Sequence, residues 1–154
     1  MSEEVVVFDT EFTAWRGSME RRWKGPGEFR EIVQIGAVRI DATTLAETAA
    51  FSILICPKLN PVLSDYFVAL TQITNERIAS EGVDFRSGTS AFAAFLDGRP
   101  MYCYGRDDRI MAANAERLGT PEQWSNTTAV NLGHWLIEIG IVLAGVSSGT
   151  LAEH

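Results

Sequence analysis

A mixed α/β fold, one five-stranded sheet flanked by helices, is what the sequence predicts, and three observations predict it. A continuous β-branched run, Val5-Val6-Val7-Phe8, has the composition of a strand covered on both faces. Segments 31–40 and 47–56 alternate apolar and polar residues around the turn Asp41-Ala42-Thr43-Thr44, as an antiparallel pair does. The rest of the chain alternates short apolar strands with stretches of helical spacing. Strands first, then strands separated by helices, give a mixed sheet with helices packed on it.

Element by element, the first strand runs into Asp9-Thr10-Glu11, and the polar stretch 13–29, with Gly17 and Gly25-Pro26-Gly27, is expected to be a long loop. The antiparallel pair follows. After Pro57 and Pro61, Leu70-Thr71-Gln72-Ile73 leads into a short helix over 75–80, and Thr89 caps a second over 90–96, stopped by Gly98-Arg99-Pro100. Met101-Tyr102-Cys103-Tyr104 is a fourth strand. Gly105 separates it from a helix at about 107–118, where Ile110, Met111, Ala115 and Leu118 keep helical spacing and Gly119 closes the last turn. A fifth strand falls within 127–131, a helix over 132–139 ends at Gly140, and Thr150 caps a helix that has only begun at His154. The sequence contains no internal repeat.

The 154 residues make a single domain, long enough to bury roughly two-thirds of the surface of its unfolded chain. A hydrophobic fraction of 46% excludes disorder. A net charge of −7 argues against a protein that grips long duplex by neutralising phosphates, so any nucleic-acid contact is expected to be local. Cys56 and Cys103 each sit in an apolar run and read as buried free thiols of a reducing compartment. The acidic start Met1-Ser2-Glu3-Glu4 is unlike a signal peptide, and the apolar run after it is too short to cross a membrane. The expected location is the cytoplasm, with no membrane partner.

Asp9 and Glu11 are one residue apart, so on an extended strand both project from the same face. Paired carboxylates beside a buried strand are costly unless compensated, and a hard cation with oxygen ligands is the natural compensation. A bare Asp-x-Glu also fits solvated charges at a strand end. The second apolar strand, through Tyr104 and Gly105, delivers Asp107 and Asp108 to the start of a helix. If the two strands are parallel neighbours, these acids share the sheet edge where open α/β sheets bind ligands. One of Asp107 and Asp108 caps the helix and complements its dipole, a role assigned to Asp107.

Taken together, Phe8-Asp9-Thr10-Glu11-Phe12-Thr13, Glu31-Ile32-Val33-Gln34-Ile35-Gly36-Ala37-Val38, Leu70-Thr71-Gln72-Ile73-Thr74 and Tyr104-Gly105-Arg106-Asp107-Asp108 resemble, in order, the motifs of the DEDD exonucleases. These are the DnaQ-like proteins of the ribonuclease H-like fold. The likeness is greatest to the branch that trims histone-mRNA and small-RNA ends, together with KapD-like proteins. It implies a 3′→5′ exonuclease acting on single-stranded RNA or DNA 3′ ends and releasing nucleoside monophosphates. It also implies two divalent ions, Mg²⁺ or Mn²⁺, held by Asp9, Glu11 and Asp108, the last being where the second motif matches. Phe12, Thr13, Leu70, Thr71 and Ile73 are implied to hold the terminal nucleotide, although Leu70 and Ile73 equally suit core packing. Arg16, Arg21, Arg22 and Lys24, with Trp15 and Trp23, form either a phosphate-tracking surface or a solvated loop, since Glu20 and Glu28 are interspersed.

The family's third motif, His-x-x-x-x-Asp, which supplies the general base and a fourth carboxylate, is not in this sequence. His134 lies in a helical stretch with Trp135 and Leu136 and is expected to pack or face solvent. Residues 150–154 resemble the helix that precedes the third motif, so the chain is expected to be a domain truncated just before it. The alternative is a catalytically inactive member that uses the fold to bind nucleic acid or protein. A further one is an endonuclease of the same fold.

Overall fold

The structure, a computed structural model, describes residues 3–121, 124, 128–147 and 150–151. Its strands are β1 (Glu4–Phe12), β2 (Ile32–Asp41), β3 (Glu47–Leu54), β4 (Met101–Cys103) and β5 (Val130–Asn131). Its helices are α1 (Asp65–Thr71), α2 (Asn75–Glu81), α3 (Phe85–Leu96), α4 (Asp107–Arg117) and α5 (Leu132–Glu138). The strands form one sheet in the order β3-β2-β1-β4-β5, antiparallel through β2 and parallel through β4, so the mixed five-stranded sheet is as expected.

β1 is the central strand and is longer than its β-branched run, because pairing with β2 continues through Asp9 opposite Gly36 and Glu11 opposite Gln34. Its even-numbered side chains Val6, Phe8 and Thr10 are buried, whereas Val7, Asp9 and Glu11 are more open. The buried face belongs to the main core, in which the Phe92 ring of α3 lies 5.3 Å from that of Phe8 and Met111 of α4 is fully enclosed. A second cluster joins Val33 and Leu54 of the sheet to Phe67 of α1 and to Ile73 and Ile78. Apolar burial on these faces is the main stabilising contribution, at roughly 25 cal/mol per Å².

Three local expectations are corrected. Helix α1 is not among the predicted elements: Ser64 caps it by accepting from Phe67 N, and Gln72 closes it in the left-handed region at φ 61°. Seven residues rich in aromatic and β-branched types carry little helical signal alone. Helix α3 starts at Phe85 behind an Asp84 cap, not at Ser90 behind Thr89. Thr89 instead lies within the helix, buried, its hydroxyl donating to the carbonyl of Phe85. The earlier start lets Gly88 face Ile55 so closely that a Cβ would lie 2.8 Å from Ile55 Cγ1. Finally, Cys103 is a buried free thiol, but Cys56 is exposed because β3 ends before it.

α4 is fastened to the sheet by Asn114, fully buried on its inner face. Its Oδ1 accepts from Ile32 N at 3.0 Å and its Nδ2 donates to the Arg30 carbonyl at 2.8 Å, so the phase of α4 is fixed relative to the start of β2. Glu31, only 1% exposed, is a second clasp. Its carboxylate accepts backbone N–H groups from Lys58, Leu59 and Asn60, tying the end of the 13–30 loop to the segment after β3. Among the described residues, no helix is long and apolar enough to cross a membrane.

Candidate active site

Because β1 and β4 pair only at Val6 with Met101 and Val7 with Tyr102, the two strands part at their carboxyl ends. β4 then turns through Gly105, whose φ of 112° is one that side chains rarely adopt, and its N–H donates to Asn131 Oδ1. The turn aims the first residues of α4 at the end of β1. Asp107 Oδ1 accepts both the backbone N–H of Thr10 at 3.1 Å and its hydroxyl at 2.5 Å. This holds Asp107, 6% exposed, against Thr10, the residue between Asp9 and Glu11 in the strand.

Asp9, Glu11 and Asp107 line one cavity of about 390 Å³, within the size range of small-ligand sites. Burial raises all three carboxyl pKa values above their ordinary range. For Asp107, burial together with the nearby Asp9 pushes it up to about 6, despite the opposing hydrogen bonds from Thr10. Glu11 is raised by burial and then by the charges of Asp9 and Asp107, and Asp9 by burial. The charge of Asp9 thus acts on both Glu11 and Asp107, and among the described residues none of the three forms an ion pair.

The expectation that Asp108 joins Asp9 and Glu11, with Asp107 as the cap, is corrected in placement. One residue further along α4 is about 100° around the helix. Asp108 turns aside, accepting from Arg109 N at 2.8 Å and facing Ala129 N at 3.5 Å, and does not line the cavity. Nor does Asp107 cap the helix, since the cap position belongs to Arg106 without a side-chain bond.

Of the residues expected to hold a nucleotide, Phe12 and Leu70 line the cavity. The side chains of Thr13, Thr71 and Ile73 do not, and each has structural work instead. Thr13 is buried, its hydroxyl donating to the Phe29 carbonyl and accepting from Glu31 N. Thr71 donates to the Phe67 carbonyl and accepts from Ile73 N, and Ile73 is in the second core cluster. Met19, Tyr66 and Arg106 line the cavity without having been singled out for it by the sequence, and Trp23, which the sequence offers for a phosphate-tracking surface or a solvated loop, lines it too. Tyr66 and Leu70 lie four apart on one face of α1, a signal readable only once that helix is known. Trp23 is set by positive φ angles at Arg22 and itself and by its indole N–H donating to the Thr13 carbonyl, with its ring 5.5 Å from that of Phe12. His134 is exposed, in keeping with expectation, while His154 lies outside the described residues, as does the helix expected beyond Thr150 except for 150–151.

A family model for exonucleases, RNase_T, matches residues 6–106. Among solved structures, the nuclease domain of 3′hExo, a DEDDh family member bound to rAMP, is similar with a TM-score of 0.71 and 18% identity, over 95% of this chain and 75% of that one. A full-length 3′-exonuclease matches with a TM-score of 0.66 and 17% identity, over 95% of this chain but 49% of its own length. Exonuclease I with bound product matches at 0.59 and 15%, over 85% of this chain and 29% of that one. At these identities the likeness is one of fold. No curated protein matches the sequence.

Proposed function

This chain belongs to the RNase_T exonuclease family and has its DnaQ-like, ribonuclease H-like fold, and from that premise we propose that it hydrolyses phosphodiester bonds at single-stranded RNA or DNA 3′ ends, releasing nucleoside monophosphates. The observation that carries the proposal is the meeting of Asp9 and Glu11 on β1 with Asp107 on α4, in a nucleotide-sized cavity with apolar walls.

The donor set fits a hard divalent cation in its chemistry: three carboxyl groups, all raised by burial and two of them also by a neighbouring acid's charge, with no cationic partner bonded to them among the described residues. They are not gathered as a ready cage, for among those residues no group of three or more His, Cys, Asp or Glu side chains is placed to hold an ion. Asp9, Glu11 and Asp107 would hold Mg²⁺ or Mn²⁺. When bound, such an ion supplies Lewis acidity toward the phosphate and makes water a stronger acid. The chain's own contribution is positioning. Thr10 pins Asp107, and Trp23, Phe12, Tyr66 and Leu70 supply apolar walls.

Leu70, 66% exposed, has little packing to lose. Leu70→Ala is therefore expected to raise KM about three- to tenfold while kcat and the melting temperature stay near wild type, because a uniform binding contact is removed. A fall in kcat at constant KM would place Leu70 elsewhere.

The pH dependence follows from the raised carboxyl pKa values. Asp107 contributes stability that is fully present below its unfolded value near 3.8 and is lost as pH rises through about 6 in the folded protein. Manganese is expected to raise the melting temperature more at pH 7.5 than at pH 5, where a proton occupies Asp107. Activity should fall as pH drops through about 6. Equal melting shifts at both pH values in thermal unfolding would contradict this.

A second reading is a silent member that binds nucleic acid without cutting it. Incubation with oligonucleotides labelled at the 5′ end separates the two. A descending ladder in manganese, abolished by chelation, supports the exonuclease, and tight binding with no product supports the silent module. Internal fragments at the earliest times would instead indicate an endonuclease.

A further inference from the structure

Next to the carboxylate cavity lies another of about 400 Å³, and the two share Trp23 and Arg106 in their walls. Arg22, Arg30 and Arg109 line it as well, so four of the thirteen basic side chains in a chain of net charge −7 surround one opening. Among the described residues none of the four has an ion-pair partner. The Arg30 guanidinium lies 4.2 Å from the Trp23 ring centroid, and its buried Nε has no hydrogen-bond partner. Glu28 is on the wall, but its carboxylate is engaged by the Arg21 guanidinium and by Gly25 N.

Guanidinium groups are planar forks suited to phosphate oxygens, and a cluster of them without counter-charge is stabilised when an anion arrives. We infer that this cavity receives the phosphodiester backbone of single-stranded nucleic acid just behind the nucleotide seated in the carboxylate cavity. Trp23 and Arg106, common to both walls, mark where the strand passes between them. The inference rests on the nuclease reading for what occupies the first cavity. It also accounts for how so acidic a protein approaches a polyanion: the local positive field outweighs the net charge at short range. The set differs from the one that the sequence suggests. Arg21 is committed to Glu28, and Arg22 is joined by Arg30 from the end of the loop and by Arg106 and Arg109 from the start of α4.

The test is binding, in EDTA so that the strand stays intact, of a fluorescent single-stranded decamer and separately of a nucleoside 5′-monophosphate. Variants are Arg22→Ala/Arg109→Ala, Arg109→Glu and, as control, Arg77→Ala on α2, with circular dichroism to verify folding. The double variant and Arg109→Glu are expected to bind the decamer about tenfold more weakly at low salt, with mononucleotide binding unchanged. For the double variant, the slope of log K against log salt should be shallower by about 1.4, at about 0.7 for each single-strand phosphate that is no longer neutralised. Arg77→Ala should match wild type. Unaltered decamer affinity and slope in the arginine variants, or equal weakening in Arg77→Ala, would overturn the inference. Hydrolysis of the decamer by the wild-type chain in manganese reports on the nuclease reading separately. Cleavage with arginine-independent binding sinks this inference alone, and arginine-dependent binding without cleavage sinks the nuclease reading alone.

Discussion

Asp107→Ala is expected to lower metal-dependent hydrolysis about a thousandfold, while Asp108→Ala leaves it within about twofold of wild type. Asp107 shares the cavity with Asp9 and Glu11, and its oxygen is fixed by two bonds from Thr10. Removing it deletes one of the three acids proposed to hold the cation, and a loss of several kcal/mol in transition-state stabilisation is a thousandfold in rate. Asp108 faces Ala129 and its own helix, so its removal alters only a part-exposed local bond. Asp107→Asn is the useful companion, since an amide oxygen still accepts from Thr10 but carries no charge. Initial rates on a labelled single strand, with melting temperatures alongside, decide the matter. Inactivity of Asp108→Ala beside an active Asp107→Ala would mean that α4 is rotated by one residue from the orientation described.

The second large effect concerns stability. Glu31→Ala should destabilise the fold by on the order of 3–5 kcal/mol, because it removes part-buried hydrogen bonds from three backbone N–H groups to one carboxylate, and bonds to a charged group contribute about 1.5–3 kcal/mol each. Glu31→Gln keeps one acceptor oxygen and should lose less. Urea unfolding at constant slope measures both. A midpoint for Glu31→Ala within about 0.5 kcal/mol of wild type would show that residues 58–60 find other partners at little cost. Since the same glutamate anchors the end of the 13–30 loop, which carries Trp23, weaker substrate binding is expected below the melting transition too.

What is legible in the sequence and what is not divide along physical lines. Asp9 and Glu11 are legible because side chains on a strand repeat every second residue, so spacing alone puts both on one face. The parallel neighbour delivering further acids is legible for the same reason, as an apolar run ending at a glycine. The choice between Asp107 and Asp108 is not, since both suit a helix start and the phase of α4 is decided by Asn114 clasping residues 30 and 32, a contact across more than eighty positions of sequence. Helix α1 escapes because its seven residues gain their helicity from burying Phe67, not from propensity. Tyr66 escapes with it, whereas Leu70, four residues on along the same face, is legible through its motif. The cap of α3 is misplaced where both Asp84 and Thr89 have capping chemistry and only packing of Phe85 and Gly88 distinguishes them.

The hydrogen bonds between Thr10 and Asp107 join residues 97 apart. Closing so long a loop is entropically unfavourable and is repaid only after the intervening strands and helices have condensed. On the ribosome, then, the amino-terminal acids emerge early and remain solitary until α4 has been synthesised and docked. A nascent or partly unfolded copy holds no complete acid cluster, so the chemistry proposed for that cluster is withheld until α4 has docked.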